Sequence, residues 1–265
     1  MKLQDSEYLL THQYKDASNL TARIRLHEMF SVNPYGIHQW MFDQFTLPEY
    51  AAVLELGCGP ATLWQGNLAR VPAGWRVTLT DFSPGMISTA RQNLAGQDQI
   101  TFDIVDAQST PYEDATFDAV MAHYMLYHVP DRPRALAEIA RVLKADGKFF
   151  AVTLGENHIR EIFEIMRDFD PNWSKGHADN PFTLENGAAQ IAPFFSSLEL
   201  RCYEDGLAIT ETEALVEYIL SMSSLAHVDA SEEEIAALRA NIDARLTREG
   251  VIQVQKHSGM FVAMK

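Results

Sequence analysis

Cationic side chains are scarce in this chain of 265 residues: 21 Lys and Arg stand against 36 Asp and Glu, a formal charge of −15. Binders of long polyanions draw affinity from Lys and Arg contacts to phosphate, so this balance argues against a nucleic-acid partner. Cysteine is scarcer still. Cys58 and Cys202, the only two, cannot build a disulfide framework or a CxxC metal knuckle, and they predict a reducing compartment. No run approaches the ~18 consecutive apolar residues of a membrane span. The opening MKLQDSEYLL lacks the apolar core of a signal peptide, so a cytoplasmic protein is expected. The histidines show no HxxxH or HExxH spacing, so no metal is expected. There is no GxSxG elbow of a serine hydrolase. What the chain has in quantity is apolar side chain, 47% of its residues. That suits one large domain or one domain with insertions, since domains usually run to ~100–200 residues.

The central third alternates short β-branched runs with helix signals, the pattern of a parallel sheet with crossover helices. Strands are predicted at 53–56, 76–81, 100–105, 117–122 and 148–153. Ser83-Pro84 predicts a cap with proline in the first turn, ahead of Met86, Ile87, Ala90 and Leu94 at helical spacing. Asp131 is the predicted cap of a helix carrying Leu136, Ile139 and Leu143, with Gly147 after it. Crossovers between parallel strands are nearly always right-handed, and the fold class read here is a doubly wound α/β sheet.

The flanks differ. Residues 1–50 read as a helical cap before a domain over 51–265, with lid insertions near 157–195 and 211–249. A helix is expected over 157–169, capped by Asn157 with His158 exposed, and a sixth strand over 197–203. Thr210 with Glu213, and Ser231 with Glu234, fit capping boxes. Ile235, Leu238, Ile242 and Leu246 form an apolar stripe. The Glu232-Glu233-Glu234 run reads as a helix start favoured by the dipole, not as a calcium site. Residues 251–254 and 260–264 predict a last strand with a turn at Ser258-Gly259.

Glu55-Leu56-Gly57-Cys58-Gly59-Pro60-Ala61-Thr62 closes the first strand and opens a helix. Two glycines let the backbone turn tightly and approach a nucleotide-like ligand. In an open α/β sheet, ligands sit outside the carboxyl ends of the strands, where the strand order reverses. Asp81 ends the second strand, where its carboxylate can accept from two ribose hydroxyls; Asp106, past the third, can accept from an adenine amine. A dinucleotide site uses a similar layout, but Thr62 holds the place of the third glycine of GxGxxG.

Residues Val53 to Thr62, Thr80 to Met86, Asp106-Ala107-Gln108 and Phe117 to Val129 resemble the class I S-adenosylmethionine-dependent methyltransferases. Within that class they are most similar to small-molecule enzymes of the ubiquinone/menaquinone-biosynthesis type. The resemblance covers about residues 50–155, with VLELGCGPA and Asp81-Phe82-Ser83-Pro84-Gly85-Met86 its most specific elements. It implies a Rossmann-like, mostly parallel, seven-stranded sheet and S-adenosyl-L-methionine as cofactor, converted to S-adenosyl-L-homocysteine, with a small molecule as methyl acceptor. It places the loop Gly57, Cys58 and Gly59 at the amino-acid portion of the cofactor. Asp81 then meets the ribose, Phe82 and Met86 the adenine, Asp106 and Ala107 the adenine edge, and Ala122 and His123 the methionine end. Glu55 orders the loop or meets the cofactor through water. Tyr14 and Arg25 are candidates for the methionine carboxylate, a salt bridge with helix acids being the alternative for Arg25.

Methyl transfer from a sulfonium is an in-line displacement at an activated carbon, so the protein supplies orientation, exclusion of water and sometimes a base. His123 and His128 are the candidate bases or acceptor-orienting groups, with hydrogen bonding to the loop backbone as the alternative for each. Tyr124 and Tyr127 read as packing residues, and Cys58 as a small packing thiol. Asn33-Pro34-Tyr35 is similar to a motif of nucleic-acid amino-methyltransferases, but it precedes the glycine loop and reads as a turn. The leading expectation is therefore methylation of a small molecule. Its rivals are a nicotinamide-dependent oxidoreductase, a non-catalytic cofactor-binding protein and an RNA methyltransferase, the last opposed by charge.

Overall fold

The computed structural model describes residues 4, 5, 7, 9, 11, 18–169, 180–226 and 230–265. In chain order the elements are α1 (Ser18–Phe30), α2 (Ile37–Asp43), β1 (Ala52–Leu56), α3 (Thr62–Asn67), β2 (Arg76–Asp81), α4 (Pro84–Asn93), β3 (Ile100–Ile104) and β4 (Phe117–His123). Then follow α5 (Arg132–Val142), β5 (Leu143–Leu154), α6 (Arg160–Phe169), α7 (Gly187–Ile191), β6 (Ser197–Ile209), α8 (Thr212–Ala226), α9 (Glu232–Glu249) and β7 (Ile252–Met264). They form two compact units. One holds Met1–Pro34, Glu156–Asn180 and Glu204–His257; the other holds Tyr35–Gly155, Pro181–Tyr203 and Ser258–Lys265.

The second unit is built on the sheet, whose strand order is β3-β2-β1-β4-β5-β7-β6. β1 pairs in parallel with β2 on one side and β4 on the other, and β7 runs antiparallel to β5. This is the expected mostly parallel seven-stranded sheet. Its central strands are apolar on both faces, as strands covered on both sides must be. Leu54, Leu56, Val120 and Phe149 pack on one face with Leu136 and Ile139 of α5. Val53, Leu79, Met121 and Phe150 pack on the other with Phe42, Trp64 and Ala90 of α2, α3 and α4. Each fully buried Phe or Leu side chain contributes ~1.5–3 kcal/mol relative to exposure.

The helix signals work as local chemistry. The Ser83 hydroxyl accepts from Met86 N at 3.3 Å with Pro84 in the first turn, and the Asp131 carboxylate accepts from Arg134 N at 3.1 Å. α5 ends at Val142, one residue short of the predicted helix, because Leu143 pairs with Phe117 and already begins β5.

Two glycine-bearing segments differ from expectation. No turn forms at Ser258-Gly259: β7 is continuous, with Leu154 facing Ser258 and Thr153 facing Gly259. Gly259 is small because a Cβ there would lie 2.9 Å from Arg201 O and 3.1 Å from Leu184 Cδ2. β6 likewise runs on past 203 through Asp205-Gly206, where a Cβ on Gly206 would lie 2.9 Å from Val254 O. In both places glycine admits a neighbouring backbone instead of reversing the chain.

The other unit joins α1, α6, α8 and α9 through Leu26, Phe30, Ile162, Leu215, Ile219, Leu238 and Ile242. Ser231 and Glu234 form the predicted capping box of α9, and Ile235 and Leu246 pack partly buried on the same core. Asn33 N donates to the Asp205 carboxylate at 3.0 Å, just ahead of a bend at Pro34. α6 starts at Arg160, not 157, and His158 is buried rather than exposed: its Nδ1 lies 3.0 Å from His257 N, which donates to it. Gly259→Ala forces a Cβ against the fixed Arg201 carbonyl, and is expected to lower stability by about 1–3 kcal/mol in urea unfolding.

Candidate active site

Sheet register brings the chemistry-bearing residues to one edge. Leu56 faces Thr80 on β2 and Ala122 on β4, Asp81 faces Ile104 on β3, and His123 faces Val152 on β5. Gly57, Asp81, Asp106 and His123 therefore all lie at the carboxyl ends of adjacent strands, beside the point where the order turns from β1–β2–β3 to β1–β4–β5.

After β1 the chain folds back, with Cys58 N donating to Thr80 O at 2.8 Å. Gly57 has φ +72°, and a Cβ there would lie 2.7 Å from Met125 Cβ. Both conditions exclude a side chain. The Cys58 thiol is pushed well above its ordinary pKa, by burial first and then by Glu55 and Asp81, so it stays protonated and packs. Asp81 bridges the loop and the α4 cap: Oδ2 accepts from Gly59 N at 2.9 Å and Oδ1 from Ser83 N at 2.8 Å. Burial raises its pKa despite these hydrogen bonds, and the Glu55 charge adds to the rise. Phe82 is 42% exposed beside it, while Met86 is buried. Asp106 accepts from Gln108 N at 2.8 Å, and Ala107 is buried.

Below the loop lies a further carboxylate. Glu55 is 3% exposed; its Oε1 is 2.8 Å from His123 Nδ1 and its Oε2 accepts from Trp64 Nε1. Phe45 stacks on the His123 ring with 5.8 Å between centroids and 18° between planes. His123 Nε2 is buried and meets no hydrogen-bond partner among the described residues. His38 is the other imidazole near this pair, and burial, then His123, lower its pKa so that it is neutral at pH 7.

His128 lies one short turn further on, its N donating to Met125 O at 2.9 Å and its ring 4.5 Å from that of Tyr127. Tyr124 and Tyr127 pack partly buried against the sheet's two cores. Arg25 belongs to the helical unit, where it pairs with Glu217 at 3.0 Å; Tyr14 lies outside the described residues. The sequence reading missed Trp64 and Phe45. The available signal was a donor-only indole nine residues after a strand glutamate.

The edge fits a nucleoside-bearing cofactor. Asp81 keeps lone pairs beyond the two it uses, Phe82 offers an exposed aromatic face, and the glycine loop lets backbone come close. The model of a family described as a methyltransferase domain matches residues 54–151, the stretch from β1 to β5 that builds this edge. The chain carries a class I S-adenosylmethionine-dependent methyltransferase domain.

The methyltransferase is 29% identical over 178 residues to the demethylmenaquinone methyltransferase of Symbiobacterium thermophilum, covering 62% of this chain and 71% of that protein. It is 42% identical over 104 residues to the ubiquinone/menaquinone biosynthesis C-methyltransferase of Desulfotalea psychrophila, covering 38% of this chain but only 40% of that relative. Among solved structures, Haemonchus contortus phosphoethanolamine N-methyltransferase 2, in complex with S-adenosylhomocysteine, superposes with TM-score 0.60 at 18% identity. That superposition covers 99% of this chain and 60% of the other, and at such identity it is a likeness of fold. Gly57→Ala combines a left-handed backbone with a clash at Met125, and is expected to cost about 2–4 kcal/mol in thermal or urea unfolding.

Proposed function

We propose that the methyltransferase moves the methyl group of S-adenosylmethionine onto a small-molecule acceptor by in-line displacement. The observation that carries this reading is the Asp81 carboxylate bridging the glycine loop and the α4 cap where the strand order reverses. In this reading Gly57, Cys58 and Gly59 receive the amino-acid portion, Asp81 accepts from the ribose hydroxyls, and Phe82 and Met86 flank the adenine. Asp106 and Ala107 line the adenine edge. Ala122 and His123 face the methionine end, and His128 stands further along the same loop toward the acceptor. The sulfonium supplies an activated methyl carbon; the protein's tasks are alignment, exclusion of water and disposal of the acceptor's proton.

The charge of −15 favours a small acceptor over a nucleic acid. No described helix is long and apolar enough to cross a membrane, and a cytoplasmic location belongs to the same proposal. The nicotinamide alternative gains nothing from the loop, where Thr62, the first residue of α3, replaces the third glycine.

Calorimetry with S-adenosylhomocysteine is expected to show saturable binding; a wild type that binds neither it nor S-adenosylmethionine rejects the reading. Asp81→Ala is expected to weaken binding by roughly 1.5–3 kcal/mol, about ten- to 150-fold. An unchanged dissociation constant removes Asp81 from the ribose. Burial raises the Asp81 pKa, so as pH falls Asp81 protonates before an ordinary aspartate does. Affinity is thus expected to be full at neutral pH and to drop on acidification through that raised pKa, a drop that Asp81→Asn abolishes. A labelled-methyl transfer assay on a fractionated metabolite extract, read by mass spectrometry, identifies the acceptor.

A further inference from the structure

We propose that Glu55 and Trp64 preset His123 as the proton acceptor for the methyl acceptor, which is accordingly a protic nucleophile: its attacking atom carries a hydrogen. This deepens the reading above and rests on it for the source of the methyl group. An indole nitrogen only donates, so Trp64 Nε1 claims one oxygen of Glu55. The other oxygen faces His123 Nδ1 at 2.8 Å, and a carboxylate only accepts, so Nδ1 carries the hydrogen. In the neutral ring the lone pair then sits on Nε2. Glu55 is 3% exposed and His123 7%, and Phe45 holds the ring plane, so the tautomer is fixed by its surroundings and not by solvent.

Nε2 itself is buried without a partner among the described residues. A buried polar atom left unpaired is costly, and a donor arriving with the ligand removes that cost. His123 ends β4 one residue beyond Ala122, which is paired with Leu56 immediately before the glycine loop. It therefore stands at the same sheet edge as the cofactor residues. The step balances: the acceptor atom gives its proton to Nε2 and bonds the methyl carbon, and the sulfur keeps the electron pair of the broken carbon–sulfur bond. The imidazolium that results faces the Glu55 carboxylate, which stabilises it. Glu55 and Trp64 are positioning residues; His123 touches the reacting atom.

The test reads the tautomer directly, by 15N NMR of the full chain with labelled histidine, His123 being assigned from a His123→Gln spectrum. The wild-type ring is expected to be protonated at Nδ1 and bare at Nε2. Glu55→Gln is expected to invert it. Trp64 still needs an acceptor and takes the single amide oxygen, which turns the amide NH2 toward Nδ1 and moves the ring proton to Nε2. Adding Trp64→Phe releases that oxygen to face His123, and is expected to restore the wild-type tautomer.

Methyl transfer, measured with the extract fraction active for the wild type, is expected to fall about 100-fold or more in Glu55→Gln. It is expected to recover at least about tenfold of that loss in the double variant. If Glu55→Gln does not fold, the double variant and His123→Gln carry the comparison: transfer by the first and its loss in the second support the proposal. A wild-type ring protonated at Nε2 overturns the proposal. So does Glu55→Gln transfer within about threefold of wild type, or a loss of cofactor affinity as large as the loss of rate. Absence of cofactor binding in the wild type defeats the methyltransferase reading instead, and leaves the tautomer measurement standing.

Discussion

Parallel pairing of β1 with both β2 and β4 is the constraint on which the site depends. Parallel neighbours need crossovers, and right-handed crossovers leaving the central strand in opposite directions place their helices on opposite faces of the sheet. The carboxyl ends of β1, β2, β3 and β4 then open onto one edge. Register does the rest. Because Leu56 stands level with Thr80 and Ala122, the glycine loop, Asp81 and His123 reach that edge together. A slip by one residue in β1 would exchange the faces of Leu54 and Glu55, burying a carboxylate in the α5 layer and separating it from both Trp64 and His123.

Asp81 and Glu55 differ in their surroundings at that edge, and burial divides them. Asp81 is half-buried and accepts from the backbone N–H groups of Gly59 and Ser83, which hold it between the loop and the α4 cap. Its raised pKa records how much solvation it has given up. Glu55 is almost wholly buried and finds both partners in side chains. Removing either donor would leave a buried carboxylate oxygen without its hydrogen bond, which costs more than losing an exposed contact. The Glu55 charge also opposes the ionisation of Asp81. The backbone N–H groups on Asp81 and the indole on Glu55 let both persist within a few residues of the same loop.

Much of this was legible in the sequence wherever local chemistry decides structure. Ser83-Pro84 and Asp131 fixed helix starts, Ser231 with Glu234 fixed a capping box, and the runs at 76–81 and 100–105 marked strands to within a residue. Glycines were read less well, because a glycine in a strand has two opposite meanings. At Gly259 the local signal for a turn lost to a close approach by the Arg201 carbonyl, a contact set by a strand more than fifty residues away. His158 failed for a related reason: next to Asn157 it looks like a helix entrance, but the distant His257 backbone captures its ring. The Glu55–His123–Trp64 group spans three elements: β1–β4 pairing brings Glu55 to His123, and the helix after the glycine loop brings Trp64.

The group also separates what a family likeness conveys from what this chain adds. In the proposed reading the glycine loop, Asp81 and the Asp106 edge hold the methyl donor. They leave the acceptor open, because none of them discriminates a nucleophile that must lose a proton from one that need not. That discrimination requires a base of defined orientation near the donor's reactive end, and orientation costs entropy unless packing has already removed the freedom. A neutral imidazole alone interconverts its tautomers in water and presents either a lone pair or a hydrogen. Locked between an acceptor-only carboxylate and an aromatic plane, it presents one. The donor-only indole makes the lock directional, since it forbids the carboxylate's neutral isostere from doing the same work. On the proposed reading, selectivity at this site is a matter of which atom carries a hydrogen, and the side chains around His123 set that before any ligand arrives.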